Sequence, residues 1–116
     1  MITAVHHIAL ILSSEECLDF YKRLGFREER RIERGYDTVV LMNGYGIGLE
    51  VFVDPKHPAR EKPEPLGLRN ISLRVDDVEK TVEELRLDDV EIQTDWSGNR
   101  YCVTADPDGN TVQLCE

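Results

Sequence analysis

The chain has 116 residues, 41% hydrophobic and 32% charged, which suits one small folded domain and excludes a disordered chain. Its 14 basic and 23 acidic residues leave a net charge of −9, which opposes nucleic acid and anionic membranes as partners because both need a basic footprint. No apolar run approaches the ~20 residues that cross a bilayer, and the opening residues lack the basic flank and apolar core of a secretory leader.

The first apolar run, residues 5–12, is short and rich in Ile and Leu, and predicts a strand. Ser13 and Glu16 have the spacing of a capping box, and Cys17, Phe20, Tyr21 and Leu24 follow at helical spacing until Gly25. Residues 26–34 and 38–42 read as strands, 43–46 as a turn, and 47–53 as a further strand. Residues 54–65 hold four of the five prolines, which makes them a linker rather than a strand or helix. The order then recurs. A strand is expected over 68–75, a helix begun by Asp76 and Glu79, and strands over 90–95, 100–105 and 111–115, with Asp106-Pro107-Asp108-Gly109 as a turn.

A shift of 63 residues superposes the halves without a gap, carrying Ser13 onto Asp76, Leu24 onto Leu87 and Gly46 onto Gly109. Over residues 5–53 the shift yields nine identities, where composition alone gives roughly three. The expected fold class is therefore α+β: two tandem βαβββ units forming an open, cupped mixed sheet with helices on its outer face. One domain spans 1–116, with unit one at about 4–53, the linker at 54–66 and unit two at about 67–116.

Strand alternation then picks out a working face. Ile8, Leu10 and Leu12 share an apolar face, as do Ile71, Leu73 and Val75 in the repeat. The opposite face carries His7 and Glu50 in the first half and Asn70 and Gln113 in the second. The shift maps His7 onto Asn70 and Glu50 onto Gln113, so all four occupy equivalent places. Such groups need a common partner, which is each other, water or a metal ion. His6 falls on the apolar side and reads as structural, and His57, in the linker, as solvated. Residues 27–31 read as the outer face of an edge strand. Arg30, Arg74 and Arg100 are candidates for holding an anionic substrate, and Trp96 and Tyr101 for lining a cleft or covering the core. Three cysteines (Cys17, Cys102, Cys115) without a C-x-x-C argue against a disulfide framework and for a reducing, cytoplasmic setting.

Several stretches carry a family resemblance: Val5-His6-His7-Ile8-Ala9, Phe20-Tyr21-Lys22-Arg23-Leu24-Gly25-Phe26 and Ile47-Gly48-Leu49-Glu50-Val51-Phe52. The second half adds Asn70-Ile71-Ser72-Leu73 and Asp106-Pro107-Asp108-Gly109-Asn110-Thr111-Val112-Gln113-Leu114. Over nearly its whole length the chain resembles the vicinal oxygen chelate superfamily, which includes glyoxalase I, epimerases, extradiol dioxygenases, and fosfomycin- and bleomycin-resistance proteins. The resemblance implies a divalent metal (Zn, Ni, Mn or Fe) held by His7, Glu50, Asn70 and Gln113, with no organic cofactor. Asn70 stands where metal-binding members usually have His, and Gln113 where they usually have Glu, which makes the set a weaker one. The missing second His and last-strand carboxylate count against a dioxygenase, and leave Glu50 as the only inner carboxylate able to act as a base.

The resemblance also implies a small-molecule substrate or ligand and a homodimer with shared sites, His7 and Glu50 coming from one chain and Asn70 and Gln113 from the other. Two functions follow. The first is a glyoxalase I-like, metal-dependent lyase or isomerase acting on a small dicarbonyl, hydroxyacyl or thioester compound. The alternative is a metal-free binding protein of the bleomycin-resistance type.

Overall fold

A computed structural model describes all 116 residues. It divides into two compact units, Met1–Pro58 and Ala59–Glu116, which meet within the proline-rich segment. Unit one comprises β1 (His7–Leu12), α1 (Glu15–Leu24), β2 (Arg27–Glu33), β3 (Thr38–Gly44) and β4 (Ile47–Val53). Unit two repeats the order with β5 (Asn70–Arg74), α2 (Val78–Glu84), β6 (Gln93–Thr94), β7 (Arg100–Ala105) and β8 (Thr111–Cys115). Each unit holds one open, four-stranded mixed sheet, ordered β1-β4-β3-β2 and β5-β8-β7-β6. The first strand of each pairs in parallel with the last, and the remaining pairings are antiparallel. The duplicated α+β architecture expected from the repeat is thus present in each half.

In unit one, alternation assigns one sheet face to the core. Leu12, Val40, Met42, Leu49 and Val51 are buried there, with Cys17, Leu18, Phe20, Tyr21 and Leu24 of α1 and with Phe26. Gly25 ends α1 in left-handed backbone (φ 111°), a conformation a side chain would strain. The β3–β4 hairpin turns on Tyr45 and Gly46, both at positive φ, as a two-residue turn requires. That turn returns to the helix: the Tyr45 hydroxyl donates to the Leu24 carbonyl, and its ring meets Phe26 edge-on at 5.4 Å. Unit two has a smaller core, centred on Val78, Cys102, Val112 and Leu114. Its turn at Asp106 closes as expected: the carboxylate accepts from the backbone N–H of Asp108 and Asn110, each at 2.9 Å.

The helix starts differ from the sequence expectation by one residue. The expected Ser13–Glu16 capping box does not form, because α1 begins at Glu15 with Ser14 at its N-cap and no side-chain cap bond. The hydroxyls of Ser13 and Ser14 instead lie 3.8 and 3.6 Å from the Cys17 thiol. In unit two Asp77, not Asp76, caps α2, accepting from the Lys80 N–H at 3.0 Å. Both caps move together, so Ser14 still maps onto Asp77 and the repeat survives. The ends of α2 and β6 fall short of expectation. Arg86 and Asp89 adopt positive φ (53° and 55°), which turns the chain twice after the helix. Ladder pairing with β7 is consequently limited to Gln93 and Thr94.

β2 lies at the sheet edge, as residues 27–31 suggested, and is tied back to the helix by charge. Arg31 forks to Glu15 of α1 and to Glu28, and Lys22 reaches Glu28 at 3.3 Å. The Arg31 hydrogen bond is the largest influence holding the Glu28 carboxyl below its ordinary value of 4.5. A carboxyl with a depressed folded pKa contributes stability above its unfolded pKa, and that contribution is lost as pH falls through the folded value. The melting temperature should therefore fall on acidification below about pH 4.5. Arg31→Gln should reduce that fall, and added salt should reduce it as well, because Glu28 is partly solvated. Thermal melts of both proteins at pH 6 and below pH 4 measure it.

Candidate functional site

The polar face of unit one is built by β1 and β4. In their parallel register His7 lies beside Gly48 and Ala9 beside Glu50, so His7 and Glu50 are diagonal neighbours on one face. Their side chains lean together, with His7 Nε2 3.1 Å from Glu50 Oε2, and both stay partly solvated. Gly48 makes room for this approach. A Cβ at that position would lie 3.2 Å from the His6 carbonyl oxygen and 3.3 Å from the His7 Cβ, tighter than side chains ordinarily pack. His6 joins from just before β1: its Nδ1 is 2.8 Å from His7 Nδ1, and the rings meet edge-on at 5.1 Å. His6, read from alternation as structural, is exposed and bonded to the face residue, because the strand and its alternation begin only at His7.

Phe52, two residues beyond Glu50, continues the same face. The Arg34 guanidinium lies 5.4 Å from the Phe52 ring centroid and 4.7 Å from that of Tyr36. Asp37 grips Arg34 through two 2.6 Å bonds and is the first cause of its guanidinium pKa rising above the ordinary value, while Asp37 in turn is lowered. This aromatic and cationic shoulder escaped sequence reasoning. Its one signal was the Arg34-Gly35-Tyr36-Asp37 turn joining β2 to a strand of the same sheet.

Unit two places its pair in the equivalent register, Asn70 beside Thr111 and Ser72 beside Gln113. The chemistry differs. Asn70 Nδ2 donates to Ser72 Oγ at 3.0 Å, and the Ser72 hydroxyl donates to Gln113 Oε1 at 2.7 Å. Ser72 replaces Ala9 of the first half and links two amides that have no direct bond. The face parity already showed Ser72 beside Gln113; that it would bridge them follows from hydroxyl length, which alternation does not report. Within each unit, then, the polar residues satisfy one another.

Other candidates fall elsewhere. Arg100 binds Glu79 of α2, which takes it to the helix side of its sheet. Trp96 is exposed and covers no core, and the Tyr101 hydroxyl donates to Gln93 Oε1 at 3.0 Å. His57 stays half-exposed, with Nε2 3.5 Å from the Asp54 carboxylate.

Neither unit gathers three or more His, Cys, Asp or Glu side chains into one metal-holding group. The His7–Glu50 pair nonetheless fits two adjacent ligands of a divalent ion: bonds of ~2.1 Å place neighbouring donors roughly 3 Å apart, close to the spacing seen here. Asn70 and Gln113 fit only through their amide oxygens, and that of Gln113 already accepts the Ser72 hydroxyl.

The sequence profile of the Glyoxalase/Bleomycin resistance protein/Dioxygenase superfamily matches residues 4–114. The chain belongs to this superfamily. Among its members, the uncharacterised protein YwkD of Bacillus subtilis is 36% identical, over 100% of this chain and 98% of that protein. The crystal structure of SMU.1112c superposes with a TM-score of 0.88 at 32% identity, covering 100% of both chains. That of a glyoxalase family protein from Enterococcus faecalis superposes at 0.87 with 28% identity, covering 97% of each. The superfamily fold also serves different tasks. At 25% identity the chain resembles a trypanothione-dependent glyoxalase I of Leishmania major (TM-score 0.73, covering 97% of this chain and 86% of that one). At the same identity it resembles TnmS3, an antibiotic-binding protein from a Streptomyces species (0.67, 97% and 94%).

Proposed function

We propose that the chain is a glyoxalase-type lyase or isomerase acting on a small dicarbonyl, hydroxyacyl or thioester compound, with a divalent metal held by His7 and Glu50. The 3.1 Å approach of imidazole and carboxylate on the polar face of unit one carries this reading. Asn70 and Gln113, at the equivalent positions of unit two, complete the ligand set through their amide oxygens, with two copies of the chain sharing their sites in a homodimer. A bound divalent ion would polarise the substrate carbonyl and stabilise the charge that develops beside it. Within the chain, the His7 contact uses one Glu50 oxygen, and the carboxylate has a second with which to take a proton from the carbon next to that carbonyl. Gln113 has no titrating group, so Glu50 both accepts and returns the proton, which suits an isomerisation better than an epimerisation with a base on each side.

One observation favours a second reading. The chain of Asn70, Ser72 and Gln113 is neutral and internally hydrogen-bonded, as expected of a wall that contacts an organic ligand rather than an ion. Under this reading the protein is a metal-free small-molecule binder of the bleomycin-resistance type, and the likeness to TnmS3 supports it. A thermal-shift screen separates the two. Stabilisation by Zn, Ni, Mn or Fe that is lost in His7→Ala supports the metal enzyme. Stabilisation by cationic aromatic compounds, with no response to any of those ions, supports the binder.

A further inference from the structure

We infer that His6 is a positioning residue that sets the tautomer of His7. The inference deepens the metal reading above and rests on it for its purpose, though not for its geometry. An ionised Glu50 is acceptor-only, so the 3.1 Å contact at Glu50 Oε2 is a bond donated by His7 Nε2–H. A neutral His7 ring then has a lone pair at Nδ1, and the 2.8 Å contact there is a bond donated by His6 Nδ1–H. The metal-free face thus holds one defined pair of tautomers, His7 protonated at Nε2 and His6 at Nδ1.

Metal ligation requires the opposite arrangement, a lone pair at His7 Nε2. His7 then carries its proton at Nδ1, and that group needs an acceptor. His6 Nδ1 lies within reach and can take that role by carrying its own proton at its exposed Nε2. The protons balance. His7 Nε2 gives one to solvent, one crosses from His6 Nδ1 to His7 Nδ1, and His6 Nε2 takes one from solvent. Unlike a backbone carbonyl, which only accepts, a second imidazole can serve His7 in both states.

The other half of the molecule shows that the pairing is no by-product of the repeat. Arg69 stands at the position equivalent to His6 and donates to Glu64 at 2.8 Å. Asn70, equivalent to His7, bonds to Ser72 instead. The contact belongs to the half that carries the imidazole, and Gly48 leaves the space it needs.

The test uses His6→Phe, which retains an aromatic ring without nitrogen, and His6→Asn, whose amide both donates and accepts. Ring ¹⁵N shifts of His7 are recorded in the metal-free protein well above the ordinary histidine pKa, and Zn(II) affinity is measured by calorimetry. Wild type should show His7 as a single Nε2–H tautomer. His6→Phe should give a mixture and bind Zn(II) at least ~10-fold more weakly, with His6→Asn close to wild type on both measures. Unchanged tautomer and affinity in His6→Phe overturn the inference, even where wild type binds zinc and the metal reading stands. If wild type takes no zinc but His6→Phe still mixes the tautomers, the positioning role stands and the metal enzyme falls.

Discussion

Glu50→Gln should lower divalent-metal affinity by roughly 100-fold and reduce turnover of a dicarbonyl or hydroxyacyl substrate by a further ~10²–10⁴-fold. The substitution keeps the shape of the side chain and removes its charge and its basicity. Glu50 is partly solvated and diagonal to His7, so neither the sheet nor the core depends on the charge. The melting temperature in the absence of metal should stay within a few degrees of wild type. Calorimetric titration gives the affinity change and single-turnover kinetics gives the loss of proton transfer. Unaltered turnover would remove Glu50 from the proton-transfer role.

The largest stability effect is expected from Phe26→Ala, at ~3–5 kcal/mol. Phe26 is buried where α1 has just ended and β2 is about to begin. Its ring fills the space beside Gly44, where a Cβ would come within 2.7 Å of the ring, and takes the edge of Tyr45. Removing it opens a cavity against a glycine, which has no side chain to refill it, and loosens the Tyr45 turn whose hydroxyl satisfies the end of α1. With a total stability of ~5–15 kcal/mol for a small domain, that loss should be plain in a urea melt. Phe26→Leu should recover more than half of it. Equal losses in both would show that the ring's contact with Tyr45, and not its volume, sustains the turn.

The duplicated architecture was legible because each half carries the same sequence of strand, cap, helix and turns, and those signals survive a 63-residue shift. Alternation then placed His7, Glu50, Asn70 and Gln113 on the faces opposite the buried residues, which is where they lie. Two kinds of detail stayed out of reach. Backbone turns at non-glycine residues, Arg86 and Asp89, shorten α2 and β6, and neither residue type advertises positive φ strongly enough to be read in advance. Side-chain reach is the other. His6 and Ser72 act through the direction and length of their side chains, whereas periodicity reports only the face from which a side chain starts. The helix caps fall between these cases: Ser14 and Asp77 replace Ser13 and Asp76, since adjacent residues of similar chemistry compete for one position and φ decides between them.

The acidic surface complicates any metal experiment, because a chain of net charge −9 collects cations at many carboxylates. The most direct measurement is therefore site-resolved: titration of Mn(II) followed by relaxation of the histidine ring resonances. His57, beside Asp54, is an internal control of similar exposure. A metal held by His7 and Glu50 should broaden the His7 and His6 signals below one equivalent while leaving His57 sharp, and Glu50→Gln should abolish the selectivity. Broadening that spreads equally over all three rings, or spares His7 beyond one equivalent, would contradict the account.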